Sequence, residues 1–216
     1  MKKWVVMLLM LLLMMHIPVF AEDSIYTCGL YKYIVLDNGE VQICSYSGEE
    51  SVLDIPSELD GKKVASIGER AFNSNTITEI TIPDGVVSLG NYAFSKCICL
   101  AEIILPDSVK EIGINPFSGS LCFNKFVVSP DHSELALING VLYSKVDKRL
   151  ICCPSGLNIK KIDILDGIKA IDESAFYMCR YLEEVNIPDS VITIGKGAFC
   201  WCYNLSKMCE LRNQHS

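Results

Sequence analysis

The feature that most constrains this sequence is a tetrapeptide pattern that recurs at an interval of 23 residues. ITIP at 80–83 returns as IILP at 103–106, and IDIL at 162–165 returns as VNIP at 185–188. Repeats of this length stack as successive coils, because a single coil cannot bury its apolar side without a neighbour. The sequence therefore predicts a solenoid, which offers an extended binding surface rather than a catalytic cavity.

Each repeat contains the elements of a leucine-rich repeat. In the segment 176–187 the apolar residues are Phe176, Cys179, Leu182, Val185 and Ile187. The last three have the L-x-x-L-x-L spacing of a leucine-rich-repeat strand, whose alternate side chains point inward. We expect proline to end the strand, because proline cannot donate to a β-ladder, and a helical turn carrying Ala-Phe to close the coil. The fold class predicted is an α/β repeat, a solenoid of short strands and helical turns.

A second short strand is expected between the proline and the closing turn of each coil. In the last repeat, Val191 and Ile194 have the spacing of inward-facing residues in this strand. A glycine follows the second strand, and we expect it to have a positive φ, with Asp172 in the same place in one coil. The glycines concerned are Gly68, Gly90, Gly113 and Gly195.

The chain divides into a signal segment, a cap, two sets of repeats, an insertion and a tail. The turn at Asp37-Asn38-Gly39 and the pair Asn139-Gly140 each lie between β-rich runs, which is the pattern of a β-hairpin. The predicted boundaries are a signal peptide at 1–21, an N-terminal β-hairpin cap at 22–50, repeats at 51–125, a β-hairpin insertion at 126–161, repeats at 162–207 and a tail at 208–216.

The first 21 residues have the order of a secretory signal peptide. Lys2 and Lys3 precede an apolar run from Trp4 to Met15, and Val19-Phe20-Ala21 resembles a cleavage site. A retained membrane anchor is the alternative, but the run is shorter than the roughly 20 residues that a spanning helix needs. We expect a secreted or cell-surface protein with no membrane insertion after cleavage.

The charge of the chain argues against nucleic acid as a partner. The sequence has 19 basic and 26 acidic residues, a net charge of −7. Without Lys2 and Lys3 the net charge becomes about −9, and no basic cluster remains. No catalytic motif such as G-x-S-x-G, H-E-x-x-H or a P-loop occurs. We therefore expect no enzyme activity, no catalytic residues and no cofactor.

The sequence has 11 cysteines, an odd number for a secreted protein. Cys97, Cys179 and Cys202 each follow a repeat phenylalanine by three residues, and Ser120 and Asn75 occupy the same place elsewhere. A cysteine in an apolar column is expected to be a small buried side chain. Disulfides between stacked coils remain the alternative, because the spacing of neighbouring strands suits a disulfide. The Cys pairs are too closely spaced for a structural zinc site, so no metal site is predicted.

These phrases resemble the BspA-type leucine-rich repeat family. The resemblance rests on ITIPDGVVSLGNYAF at 80–94, IILPDSVKEIG at 103–113, VNIPDSVITIGKGAF at 185–199 and LINGVLYSK at 137–145. It implies a secreted or surface-exposed protein that functions in adhesion or in binding host proteins. The family is not known for enzymes and has no shared catalytic motif.

The candidate binding residues lie at outward positions of the Ile-x-Ile strand and just before it. They are Asp54, Glu79, Thr81, Glu102, Ile104, Lys161, Asp163, Glu184 and Asn186. Stacked strands would bring the acidic members together in a negative stripe. Such a stripe could dock a basic protein or a cation, or could be ordinary solvent-facing charge; Ile104 and Trp201 could serve as apolar anchors. We expect a protein or glycan ligand, with a structural surface scaffold as the alternative function.

Overall fold

The computed structural model describes residues 24–73 and 76–211, with the side chains of 210 and 211 left out of the description. The predicted signal peptide, Asn75 and the last part of the predicted tail lie outside the described residues. The 19 strands are β1 Tyr26–Cys28, β2 Tyr31–Val35, β3 Val41–Tyr46, β4 Val52–Asp54, β5 Glu58–Leu59, β6 Lys62–Ile67, β7 Glu79–Thr81, β8 Ser88–Leu89, β9 Glu102–Leu105, β10 Glu111–Ile112, β11 Lys125–Val128, β12 Leu135–Ile138, β13 Val141–Ser144, β14 Arg149–Cys152, β15 Lys161–Asp163, β16 Ala170–Ile171, β17 Glu184–Pro188, β18 Thr193–Ile194 and β19 Lys207–Leu211.

The first array of coils is built on two sheets. Strands β4, β7, β9 and β11 form a parallel sheet in the order β11-β9-β7-β4. The short strands β8 and β10 continue a second sheet that begins at the N-terminal hairpin. The register keeps the interval of the sequence, since Lys125 pairs with Glu102 and Glu111 with Ser88.

The N-terminal cap is an antiparallel meander that leads into the parallel sheet. β2 and β3 form the predicted hairpin, and β1 adds a third strand that the sequence did not indicate. β3 then pairs in parallel with β6. The cap therefore covers the open edge of the first coil, which an uncapped solenoid would present to solvent.

The predicted insertion repeats this arrangement at the start of the second array. β12 and β13 form the expected hairpin at Asn139-Gly140, where both residues have a positive φ, and β14 is its third strand. β14 pairs in parallel with β16, as β3 does with β6. The insertion is thus a second cap, and the coils after it form sheets of their own, β14-β16-β18 and β15-β17-β19.

Two predicted limits of the repeats differ from the strands. The break expected from 126 begins later, because β11 still pairs with β9 and Phe126 is buried opposite Ile103. The tail expected from 208 overlaps strand β19. This strand pairs with β17, and the first pair joins Lys207 to Glu184. Backbone pairing with the preceding strand extends the sheet at both places, although neither segment has the Ile-x-Ile-Pro pattern.

The expected helical turns are wrong for the described residues, which contain no helix. The coils close by isolated turns in which an N–H bonds to the oxygen three residues earlier, as from Ser95 to Tyr92. Residues with positive φ flank these turns, including Tyr92 at 57° and Lys96 at 58°. A left-handed residue interrupts the right-handed α conformation, so no continuous helix forms.

The core is built from columns of apolar side chains. In each column, equivalent residues of successive coils stack on one another. Phe72, Phe94 and Phe117 stack through successive coils with ring centroids 5.3 and 5.6 Å apart. In the second array the rings of Phe176 and Phe199 are 4.8 Å apart. Such aromatic pairs contribute about 0.5–1.5 kcal/mol each beyond the burial of their area.

The glycines after the second strand have a different role from the one expected. Their φ values are not positive; the close approach of the neighbouring coil requires them. A Cβ on Gly90 would lie 2.7 Å from the backbone nitrogen of Glu69, and one on Gly195 would lie 2.2 Å from that of Glu173. The positive φ occurs two residues later, as at Arg70 and Tyr92.

The inward position predicted for Ile194 is also wrong. Its side chain is 50% exposed, whereas Ile171, one coil earlier, is 1% exposed. Ile171 is covered by β18 in the next coil, and no described strand pairs with β18 on its other side. The burial of this column therefore depends on the coil that follows.

The cysteine column is largely a packing column, as predicted. Cys97 and Cys179 are buried, and Cys202 is half-buried. Ser120, in the same position, is also buried, and its hydroxyl bonds to the backbone of Phe94 and Cys97. A small side chain at this position therefore satisfies the turn of the preceding coil.

Candidate binding surfaces

The predicted binding residues do not form one stripe, because the two arrays have separate sheets. Asp54, Glu79, Thr81, Glu102 and Ile104 belong to β4, β7 and β9 of the first array. Their outward positions form one ladder, in which Asp54 pairs with Thr81 and Thr81 with Ile104. The other four candidates lie on β15 and β17 of the second array.

Four of the first-array candidates line a groove of about 500 Å³ on the outer face of the sheet. We call it the strand-face groove, and it is lined by Val52, Thr78, Glu79, Ile80, Thr81, Cys99, Ala101, Glu102 and Ile104. Ile104 is 56% exposed and Val52 is 57% exposed. The groove therefore combines exposed apolar side chains with carboxylates.

Charge in the groove differs from the uniform negative stripe that we expected. The carboxylate of Glu102 accepts a hydrogen bond of 2.7 Å from Nζ of Lys125. Glu79 is exposed and has no ion-pair partner among residues 24–73 and 76–211. Glu79 is therefore the open negative charge of the groove, and Glu102 is already neutralised.

The second-array candidates form a ladder of alternating charge. Lys161 lies 2.9 Å from Glu184 and 3.6 Å from Asp163, and Lys207 lies 3.6 Å from Glu184. Their pKa values follow: the hydrogen bond from Lys161 lowers the pKa of Glu184, and the same bond raises the pKa of Lys161. The expected negative stripe is absent here because each carboxylate already faces a lysine.

Asn186 is not available as an outward binding residue. It is buried, and its side-chain amide donates a hydrogen bond to the carboxylate of Asp163. Its strand β17 lies between β15 and β19, so neighbouring strands flank it on both sides. The sequence pattern gives the direction of a side chain but not how far its neighbours cover it.

Sequence reasoning missed several residues of the groove. Val52 and Cys99 lie outside the Ile-x-Ile positions that were considered, and both are exposed. Val127 continues the outward ladder, since it pairs with Ile104 on β11. The 23-residue interval counted from Ile104 would have found Val127, had the repeat not been ended at Lys125.

The histidine and the clusters of potential metal ligands were the remaining candidates for a chemical site in the described residues. No group of three or more His, Cys, Asp and Glu in this part of the chain could hold a metal ion. His132 is buried, and its Nδ1 accepts hydrogen bonds from the N–H groups of Glu134 and Leu135. That imidazole stabilises the turn before β12. Among these residues we also find no helix with the length and hydropathy that a bilayer crossing requires.

Comparison with known protein families assigns the chain to a family. The model of the BspA type leucine rich repeat region matches six copies, over residues 22–138 and 152–214. The chain belongs to this BspA-type leucine-rich repeat family. The resemblance inferred from the repeat phrases is thereby confirmed. No curated protein matches the chain significantly.

Solved structures of bacterial leucine-rich repeat proteins have the fold of this BspA-type chain. A leucine-rich repeat protein from Eubacterium ventriosum aligns with a TM-score of 0.63 at 15% identity, covering 88% of this chain and 73% of its own. The pneumococcal vaccine antigen PcpA aligns with 0.58 at 19% identity, covering 87% and 70%. The T. pallidum protein TpLRR aligns with 0.51 at 20%, covering 88% and 84%. These likenesses show the leucine-rich-repeat solenoid, a fold typical of protein interaction.

Proposed function

We propose that this chain is a secreted or cell-surface binding protein that attaches to an extracellular protein through the strand-face groove. Ile104 carries the proposal: it is a large apolar residue, more than half exposed, that lines the groove. Interfaces concentrate their binding energy in a few such anchors surrounded by polar residues. The family and the predicted signal peptide support a location outside the cell, with adhesion or host interaction as the role.

The groove favours a ligand of defined chemistry. Glu79 has an unpaired carboxylate, and Ile104 and Val52 offer apolar contact on the same face. A protein segment with an apolar side chain next to a lysine or arginine complements both features. We propose that the chain acts by binding alone, without catalysis.

The test is a binding measurement with matched variants. Purified protein is titrated against a panel of extracellular-matrix and surface proteins by biolayer interferometry. We expect saturable binding to at least one of them, and Ile104→Asp should weaken it by about tenfold or more. Val146→Asp is the control, because Val146 is 63% exposed but lies outside the groove. The proposal would be contradicted if no protein of the panel bound saturably, or if both variants lost the same affinity.

Charge reversal distinguishes the contributions of the two acidic residues of the groove to binding. Glu79→Lys should weaken binding and reduce its dependence on salt, because an open carboxylate is replaced by a cation. Glu102→Lys places a cation beside Lys125, so a change in thermal stability is expected along with any change in binding. Weaker binding in Glu79→Lys at unchanged stability therefore supports a contact in the groove.

A structural scaffold is the second candidate, and the last described coil favours it. Ile192, Ile194, Tyr203 and Met208 are each at least half exposed there. Apolar area of this kind promotes self-association. Light scattering coupled to size exclusion would show association that increases with concentration, and a strict monomer that binds no partner would contradict both candidates.

A further inference from the structure

A second cavity lies where the closing turns of the two arrays meet. It has a volume of about 520 Å³, and its lining shares no residue with the strand-face groove. The first array contributes Arg70, Tyr92, Lys96 and Ser118, and the second contributes Ser174 and Tyr177. We call it the junction cavity.

The junction cavity is cationic, although the chain as a whole is acidic. Arg70 and Lys96 line it, and its lining contains no carboxylate. Arg70 has only a long contact with Glu69, at 3.8 Å, between two exposed side chains. Lys96 has no ion-pair partner among residues 24–73 and 76–211. Glu173 lies beside the cavity but outside its lining, and its carboxylate accepts a hydrogen bond of 3.1 Å from the hydroxyl of Tyr92.

Gly119 creates space between a cation and an aromatic ring. It has a φ of 75°, and a Cβ built on it would lie 3.6 Å from Cγ of Lys96 and 3.8 Å from Cε1 of Tyr177. The Lys96 stem and the Tyr177 ring therefore stand on either side of a position without a side chain. Arg70 is held over the ring of Tyr92, 5.2 Å from its centroid, which fixes the guanidinium at the cavity.

One hydroxyl of the lining remains open to a ligand. Ser118 is 9% exposed, and its hydroxyl has no hydrogen-bond partner within the described part of the chain. The hydroxyl of Ser95, in contrast, bonds to Asn73 at 2.5 Å. On the second-array side, Asn115 holds the wall in place, because its amide donates a hydrogen bond of 2.6 Å to the backbone oxygen of Ser174.

We propose that the junction cavity binds a sugar acid, a pyranose ring that carries a carboxylate. Arg70 and Lys96 pair with the carboxylate, since charge-assisted hydrogen bonds to carboxylates are the stronger kind. The flat C–H face of the ring packs on Tyr177, and Ser118 bonds to a ring hydroxyl. The volume lies in the range of about 300–1,000 Å³ that is usual for small-ligand sites. A protein partner would require a surface of about 800 Å² instead.

The experiment compares two disaccharides that differ at C6 of each ring, which is a carboxylate in one and a neutral hydroxymethyl group in the other. Digalacturonic acid and its neutral counterpart galactobiose are titrated into the full chain at low salt by calorimetry. We expect digalacturonic acid to bind and galactobiose to bind at least tenfold more weakly, with salt reducing the difference. Equal binding of the two sugars, or no binding of the acid, overturns the proposal.

Matched variants locate the site. Lys96→Met keeps the apolar stem and should weaken digalacturonic acid binding about tenfold or more, because a charged hydrogen bond is lost. Lys110→Met is the control, since Lys110 is an exposed lysine whose Nζ bonds to Ser133 away from the cavity. Equal effects of the two variants contradict the site.

A short glutamate peptide tests the ligand class. Weak binding of the peptide supports a sugar, and binding as tight as that of the sugar acid overturns the assignment. Ile104→Asp should leave sugar binding unchanged, so failure of the strand-face groove and failure of the junction cavity are distinguishable.

Discussion

Arg149 joins the two arrays through the backbone oxygen of Ile112, to which its Nη2 donates a hydrogen bond of 2.9 Å. The same guanidinium forms an ion pair with Asp172 and lies 3.2 Å from Asp147. Burial raises the pKa of Asp172, and Arg149 opposes that rise. One side chain from the second cap therefore links the end of the first array to the first coil of the second.

Replacing Arg149 should destabilise the protein more than replacing a second arginine that also lies at the junction of the two arrays. Arg149→Met leaves a mostly buried carboxylate without its cation, and we expect a loss of about 2–3 kcal/mol in the free energy of unfolding. Arg180→Met is the matched control: Arg180 also reaches a backbone oxygen across the junction, Leu121 at 3.4 Å, but is exposed. Urea unfolding of both variants gives the comparison, and equal losses would contradict the role of Arg149.

Gly90 should not tolerate a side chain, because of the coil before it. A Cβ there meets the backbone of Gly68 and Glu69 at 2.7 Å, so Gly90→Ala must separate two coils. We expect a loss of about 3 kcal/mol. Gly167→Ala, at a φ of 85° with open space around it, should cost about 1–2 kcal/mol of backbone strain. Thermal unfolding would rank the two, and the reverse order would contradict the packing argument.

Cys202 should depend on Cys179 for its reactivity. A hydrogen bond from Cys179 lowers the pKa of the Cys202 thiol. The pKa of Cys179 is raised by its hydrogen bond with Cys153, then by the one with Cys202 and by burial. Cys179→Ala removes the donor, so the pKa of Cys202 should rise and its alkylation should shift to higher pH. Mass spectrometry after iodoacetamide treatment at a series of pH values measures the shift. Cys97→Ala, the same position in another coil, should leave the Cys202 profile unchanged.

The ion-pair ladder of the second array should make part of the stability dependent on pH. The folded-state pKa of Glu184 is lowered, chiefly by the hydrogen bond from Lys161, below its ordinary value of 4.5. Its contribution is therefore full above pH 4.5 and is lost as the pH falls through the lowered folded value.

Glu184→Gln should reduce this loss of stability on acidification, as measured by urea unfolding at a series of acidic pH values. Glu183→Gln is the neighbouring control, since Glu183 contacts one lysine and Glu184 contacts two. An acid dependence that is the same in wild type and Glu184→Gln would show that the ladder contributes nothing.

Local pattern was enough to locate most of the strands and both hairpins. The Ile-x-Ile spacing places β7, β9, β15 and β17, because apolar alternation is a property of the strand itself. The Asn139-Gly140 turn likewise needs only its own backbone, since both residues adopt a positive φ. The outward directions of Glu79, Thr81 and Ile104 follow from the same alternation.

The sequence by itself thus determined the repeat, its inward and outward faces and the two hairpins. The tertiary structure decided what those faces meet: Lys125 neutralises Glu102, neighbouring strands cover Asn186, and Gly90 admits the preceding coil. It also decided that the insertion begins a new array, so the junction cavity forms between turns that are far apart along the chain. The physical reason is range: alternation is fixed by adjacent residues, whereas charge pairing, coverage and cavities depend on side chains that only folding brings together.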